Sequence, residues 1–290
     1  MIGGMRNRLA LAGMLLFSAA TAHAELKPIS DDEMASVSGQ AMIAVDVDGT
    51  AAERFTRITM GLDAEIQTNI DNVVFGDTGD GSDVAISQLS LGHISTDAAK
   101  IQLDGQTYAV NDIVPFLGSD PYFELAEQNG EIIGFRMGFN EARGTLSGDI
   151  DSFSGQLGLQ LVDDAGNVSD AQLFGADGVA TSLRATHIGL NDAATDCSTG
   201  AQCTALSNLK TLDIGKANED GTVDVATNLF FSFQKEAVDW TSTDGTGDII
   251  SANPGVFLNI PTAMQLDIQT LQNGIPRART EYIDRGVGLF

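Results

Sequence analysis

The sequence predicts an all-β protein: an antiparallel β-sandwich or elongated β-roll with a short N-terminal helix, and a β-solenoid as the alternative topology. Three observations predict it. Hydrophobic alternation with a period of two dominates from Ala41 onward, clusters of Gly, Asp, Ser, Thr and Asn separate the alternating runs, and helical periodicity is nearly absent downstream. No fixed repeat period recurs, which favours a sandwich or roll over a solenoid.

Residues 1–24 read as a secretory signal peptide. Arg6 and Arg8 form a positive n-region, Leu9 to Ala20 is an apolar run, and Ala22-His23-Ala24 is a small-residue cleavage site. The apolar run is too short to span a bilayer and no stop-transfer segment follows, so the expected mature chain starts near Glu25 with no transmembrane segment. Its expected location is the periplasm, the outer-membrane surface or the medium. Residues 25–40 form the next element. Ser30 and Glu33 make a capping box, Asp31 and Asp32 suit the positive end of a helix, Ile29 and Met34 fit a hydrophobic staple, and Gly39 can end the segment. A two-turn helix over Ser30 to Val37 is predicted, docked on the body.

Residues 41–290 read as a single large β domain. Ile58, Met60, Leu62, Ala64 and Ile66 alternate with polar residues, as do Ile133, Phe135, Met137 and Phe139, then Leu157, Leu159 and Leu161, then Val223, Val225, Leu229, Phe231 and Phe233, and finally Met264, Leu266 and Ile268. Shorter runs are Val84 to Ile94, Lys100 to Val110, Leu146 to Ile150, Leu183 to Leu190 and Leu209 to Ile214. The polar partners are expected to face water, as in antiparallel sheets with one wet face. Short helical turns are expected near Ile113 to Leu117 and Ala201 to Leu206. A single Trp and three Tyr are too few for the aromatic girdles of a transmembrane barrel.

Composition narrows the function. Without Arg6 and Arg8, 13 basic residues face 40 acidic ones, a net charge of −27 on the expected mature chain. Such a surface repels phosphate, so nucleic acid is excluded as a partner. Cys197 and Cys203 are the only cysteines, six positions apart around Gly200, and in an oxidising compartment they read as a disulfide closing a surface loop. Zinc would need three or four Cys or His ligands, and only His93 and His187 accompany this pair in the expected mature chain.

Two acidic motifs suggest chemistry. Met42-Ile-Ala-Val-Asp-Val-Asp-Gly-Thr50 resembles the first motif of the haloacid dehalogenase-like phosphatases, in which Asp46 would be the nucleophile and Asp48 the general acid. That family needs a parallel sheet with crossover helices, which the alternation here does not provide. Gly79-Asp-Gly-Ser-Asp-Val resembles the Gly/Asp-rich calcium turns of secreted β-rolls, with Asp77, Asp80 and Asp83 as candidate ligands and calcium as the one candidate cofactor. A solvated hairpin loop explains the same residues. No nucleophile elbow, His-Glu-x-x-His or phosphate loop occurs, so no catalytic residues are assigned. His93 and His187 lie in predicted strands, where a hydrogen-bonded structural role is expected.

Leu26 to Ala41, centred on Ser-Asp-Asp-Glu-Met-Ala-Ser-Val-Ser-Gly-Gln-Ala, resembles the N-terminal signature of an uncharacterised family of exported Gram-negative bacterial proteins. Asp120 to Ala126, Ile133 to Phe139 and Gly144 to Ile150 are similar to it as well. Some members are described as components of a pilus or surface-fibre system, and the resemblance implies no catalytic residues.

The leading expectation is therefore a non-enzymatic exported envelope or surface protein, pilus-associated, adhesive or matrix-forming. Its expected partners are other envelope proteins or copies of itself. The alternative is a carrier of a lipid or other apolar ligand, with Phe135, Phe139, Phe230, Phe231 and Phe233 lining a cleft between sheets. Phe230 has the opposite strand parity from Phe231 and must find its own cover. A metal-dependent hydrolase on the acidic turns is the remote third reading.

Overall fold

The computed structural model describes residues 43–50, 52–79, 81–218, 220 and 222–280, and the statements below refer to these. The predicted signal peptide and the helix over Ser30 to Val37 lie outside them. The described chain is nearly all β, with several sheets in a sandwich-like arrangement and no closed barrel.

Eleven strands form one branched sheet: β1 (Ile43–Gly49), β2 (Glu53–Met60), β3 (Asp63–Ile66), β4 (Thr68–Phe75), β5 (Val84–Leu91), β6 (Phe116–Gln128), β7 (Glu131–Ser152), β8 (Gly155–Leu157), β9 (Thr211–Ile214), β10 (Ala226–Gln234) and β11 (Gly255–Ile260). The main path runs β1-β2-β6-β7-β10-β11-β8, antiparallel except for the parallel pair β8 and β11. Hairpins join β1 to β2 and β6 to β7 on this path, and the other pairings bring together strands that are not joined by a tight turn.

The spine is β7, 22 residues long and therefore roughly 70 Å end to end at the usual rise per residue. Its first half pairs with β6, down to Leu117↔Arg143, and with β10, from Gln234↔Gly134 to Ala226↔Ala142. Its second half pairs with β5, from Leu91↔Leu146 to Ala85↔Ser152, and with β9 from Ile214↔Gly144. The handover falls at Gly144, whose φ is +133° and where a Cβ would sit 2.8 Å from Phe116 Cα. Only glycine fits both demands.

Two apolar cores form along this spine. The larger gathers Val84, Ile86, Phe116, Leu146, Ile150, Phe153 and the leucines around Leu159 beneath the second half of β7. The smaller, with Tyr122, Phe230, Trp240 and Phe257, lies against one face of the first half. Trp240 belongs to a hairpin, Val238–Thr241 with Ile249–Ala252, that covers this face.

Some expectations change. Residues 113–117 are strand and not a helical turn, with Ile113 and Val114 pairing to Ile94 and His93. Near Ala201 to Leu206 the chain forms a strand, Cys203–Ala205, and the 3₁₀ turn covers Leu206–Asn208. Lys100 to Val110 is mostly irregular, holding one bridge between Ile101 and Thr107. The run ending at Ile268 leaves the strand state after Asp267 and becomes α1 (Ile268–Asn273), because Asp267 Oδ1 accepts the Thr270 N–H at 2.7 Å and so caps a helix.

Gly144→Ala is expected to destabilise the protein more than Gly130→Ala does. Both positions have positive φ, and a Cβ at Gly130 meets nothing within 4 Å. Strain alone costs about 1–2 kcal/mol, and the collision with Phe116 should add about 1–3 kcal/mol, read from urea unfolding midpoints.

Candidate functional site

The first half of the main sheet has its polarity inverted. Cross-strand register sets Val45, Ile58, Phe123, Met137, Phe231 and Leu258 in one row across six strands. A neighbouring row reads Val47, Thr56, Leu125, Phe135, Phe233 and Val256. Neither row contains a charge. Across Phe139, Leu229, Phe231 and Leu258 the face packs against the larger core, but towards β1 nothing in the described residues covers it. Val45 is 60% exposed, Met137 51% and Phe233 41%, while Ile58, Phe123, Leu125 and Phe135 are half-buried.

Polar pairs bound this surface. At one end Arg54 Nη2 meets Glu127 Oε2 at 2.5 Å, and at the other Ser119 Oγ donates to Asp63 Oδ1 at 2.7 Å. A contiguous apolar patch with a polar rim is the signature of an interaction surface, not of scattered surface hydrophobics. Among the described residues its outer strand, β1, pairs with β2 alone and is exposed along its whole length, with neither Pro nor Lys to blunt the edge.

The opposite face carries the charges and is the covered one. Arg136 is fully buried; its Nε donates to Glu124 Oε2 at 2.5 Å and its Nη2 to Thr241 O at 2.7 Å. Its guanidinium lies 4.9 Å from the Trp240 ring centroid, 5.1 Å from Phe230 and 5.4 Å from Tyr122. Gly134 shares the face, and a Cβ there would stand 3.1 Å from Val238 and 3.2 Å from Trp240. The expectation that polar strand positions face water therefore fails here: the aromatic box and Glu124 compensate Arg136, and the glycine leaves room for the indole.

The residues singled out from the sequence are dispersed. Asp46 and Asp48 lie on exposed β1, opposite Arg57 and Phe55, and the Asp-Gly-Thr segment is a hairpin turn in which Thr50 N–H donates to Glu53 O at 2.6 Å. Asp77 Oδ1 accepts the Gly79 N–H at 2.9 Å in a local turn. Asp83 is buried; its Oδ1 accepts from Arg184 Nε and its Oδ2 from Val256 N–H, both at 3.0 Å, tying the loop to β11. Asp80 lies outside the described residues, among which no group of three His, Cys, Asp or Glu could hold a metal ion. Cys197 and Cys203 form the disulfide.

His93 and His187 sit on separate small sheets. Burial, helped by Lys100, pushes the His93 pKa below its usual value, while His187 Nδ1 and Thr186 Oγ1 are 2.9 Å apart. Of the five phenylalanines, Phe135, Phe139, Phe231 and Phe233 share the apolar face, whereas Phe230 turns inward and stacks on Phe257 at 6.1 Å. Phe135, Phe233 and Ile132 border a depression of about 480 Å³, not an enclosed cleft. The sequence did hold a signal for the inversion. In Gly134-Phe-Arg-Met-Gly-Phe139, one parity is apolar and the other is a lone arginine between glycines, a pattern that reserves space for a large ring.

Burial raises the Tyr122 phenol to about 12, Arg136 lowering it and Glu124 raising it. Because the folded state holds this proton more tightly than the unfolded chain, stability should be intact below pH ~10 and fall by about 2–3 kcal/mol as pH rises towards 12. Tyr122→Phe should remove that part of the slope in alkaline denaturation, since the hydroxyl has no hydrogen-bond partner to lose. Glu124→Ala, which strands Arg136, should cost about 3–5 kcal/mol, and the double variant Glu124→Leu with Arg136→Met less, measured by chemical unfolding.

Residues 4–54 match the model of a family of unknown function, DUF6160. Comparison with curated proteins gave no match, and comparison with solved structures gave none.

Proposed function

We propose that this chain is an exported, non-enzymatic protein of the cell envelope or cell surface that works by association, its open sheet face seating an apolar surface of a partner protein or of another copy. The observation that carries the reading is the uncharged double row from Val45 to Phe233, in a chain with 40 acidic and 15 basic residues. Charge is concentrated away from one contiguous surface, so burying that surface removes apolar area from water without bringing carboxylates together. The open edge of β1 adds backbone donors and acceptors to the same surface. Pilus-associated, adhesive and matrix roles are the forms of association this reading covers. The secretory reading of residues 1–24 and the disulfide fit an oxidising compartment.

The depression beside Phe135 and Phe233 supports a second reading, a carrier of an apolar ligand. A carrier takes a lipid or apolar dye saturably as a monomer, whereas an association protein sediments as a complex.

The double variant Val45→Lys with Met137→Lys replaces two exposed side chains and should leave unfolding within about 1 kcal/mol of wild type. It should weaken self-association or envelope co-fractionation at least tenfold, read by analytical ultracentrifugation and by fractionation of the native host. An unchanged distribution in both, or recovery of the wild type only as a soluble periplasmic monomer, would sink the association reading.

A further inference from the structure

The hairpin of β1 and β2 sets the hydrogen-bond phase of the outer edge. Thr50 N–H donates to Glu53 O at 2.6 Å, and the register runs unbroken from Gly49↔Arg54 to Ile43↔Met60. Bonds of an antiparallel ladder join directly opposed residues at every second pair, so Asp48, Asp46 and Ala44 turn their backbone groups to β2. The phase agrees on the far side of β2, where Asn129 N–H donates to Ala52 O at 3.0 Å. Ile43, Val45 and Val47 therefore send their N–H and C=O groups away from β2. Their side chains lie on the open apolar face and are 60%, 60% and 63% exposed. Among the described residues no strand pairs with this edge.

An edge that meets its own copy does so about a two-fold axis. An axis normal to the sheet makes the two strands antiparallel and sets apolar face beside apolar face. Outward-pointing residues must then oppose one another, which places the axis on a residue and not between two. Charge separates the possible centres. With the axis at Asp46 or Asp48, that carboxylate faces its own counterpart in a non-hydrogen-bonded pair, where side chains come closest. With the axis at Val47, Asp46 faces Asp48 on both sides. Like charges directly opposite one another destabilise a sheet. With the axis at Val45, Asp46 faces Ala44, Ile43 faces Val47, and Val45 faces its counterpart. Centres nearer either end leave less of the strand paired. The Val45 register is the longest that keeps the carboxylates from facing, and Arg57, opposite Asp46 on β2, sets a positive charge beside the seam.

We propose that this chain forms a two-fold dimer in which the outer edge of β1 pairs antiparallel with β1 of a second copy, centred on Val45. The proposal rests on the association reading above and names its partner. Three hydrogen-bonded residue pairs supply about six backbone hydrogen bonds. The row Val45, Ile58, Phe123 and Met137 continues into the same row of the second copy, so the two open faces become one. A seam from Ile43 to Val47 is short beside the roughly 1,200–2,000 Å² of a standard interface, and the dimer therefore dissociates on dilution.

Cross-linking reads the register. The two native cysteines are bonded to each other, so an added thiol is the only free one. Opposed residues of a hydrogen-bonded pair have Cα atoms about 5.5 Å apart, within disulfide reach. In the full mature chain under mild oxidation, Val45→Cys should give a disulfide-linked dimer at least tenfold faster than Ile43→Cys or Val47→Cys, whose own counterparts lie four residues, about 13 Å, along the seam. Faster cross-linking of Ala44→Cys or Asp46→Cys would move the axis and overturn the register. Val45→Pro removes an outward N–H and no bond to β2, and should weaken dimerisation at least tenfold in analytical ultracentrifugation. Where that variant does not fold, the amides of Ile43, Val45 and Val47 in the unaltered chain decide: they should exchange at least tenfold more slowly in the dimer than after dilution to monomer. Protection that dilution leaves unchanged would set the edge against its own chain and overturn the proposal. Absence of the Val45→Cys cross-link in a chain that still sediments as a complex or co-fractionates with the envelope overturns the edge pairing and leaves the association reading standing. A monomer that leaves the envelope sinks both.

Discussion

A single uninterrupted backbone run, β7, sets the geometry of everything around it. With 22 residues it is several times the usual strand length, and it carries two sets of neighbours in succession. Successive side chains on a strand point to opposite faces, so two cores can lie along it where its neighbours change. Gly144 stands at that change, with a φ closed to side-chain-bearing residues and Phe116 where a Cβ would sit. The larger core then forms on the second half, where β5 and β9 bring Ile86 and Leu212 to join Leu146 of β7. The first half keeps a smaller core on one side and an open face on the other.

That first half reverses the usual economy of an antiparallel sheet. Burying a guanidinium is unfavourable unless its charge is met, and Arg136 has Glu124, the Thr241 carbonyl and three aromatic faces, although its Nη1 has no hydrogen-bond partner among the described residues. Such a pair adds little net stability, yet it fixes which face the Trp240 hairpin covers. Once the indole is seated above Gly134, the hairpin cannot also cover the opposite side. Among the described residues the apolar rows through Phe123 and Met137 and through Leu125 and Phe135 stay partly exposed, and each apolar Å² is worth about 25 cal/mol on burial. The association proposed above would draw on this leftover driving force, and the rim pairs Arg54–Glu127 and Ser119–Asp63 border the surface.

Much of the fold was legible because its signals are local. Alternation from Ile133 to Phe139 marks a strand whatever packs on it, and the spacing of Cys197 and Cys203 marks a bridge once an oxidising compartment is assumed. The parity of Phe230 against Phe231 foretold that they would part company, as they do. The helix after Asp267 was hidden, since Met264, Leu266 and Ile268 alternate as a strand would and the Asp-x-x-Thr cap is short. Lys100 to Val110 misled in the other direction: its apolar residues find no partner strand, and only Ile101 bridges Thr107.

The sequence by itself determined the β class, the acidic composition and the disulfide partners, because each depends on neighbours along the chain or on composition. It could not determine which face of the main sheet is covered. Period-two alternation distinguishes two faces but does not say which is inside, and the usual inference from polarity gives the wrong answer here. That decision belongs to residues a hundred positions apart, Arg136 and Glu124 with Trp240, whose mutual compensation exists only once the chain has brought them together. The course of residues 276–280 over Thr211, Ser90 and Asn69 is likewise tertiary, since its hydrogen bonds join segments far apart in the chain.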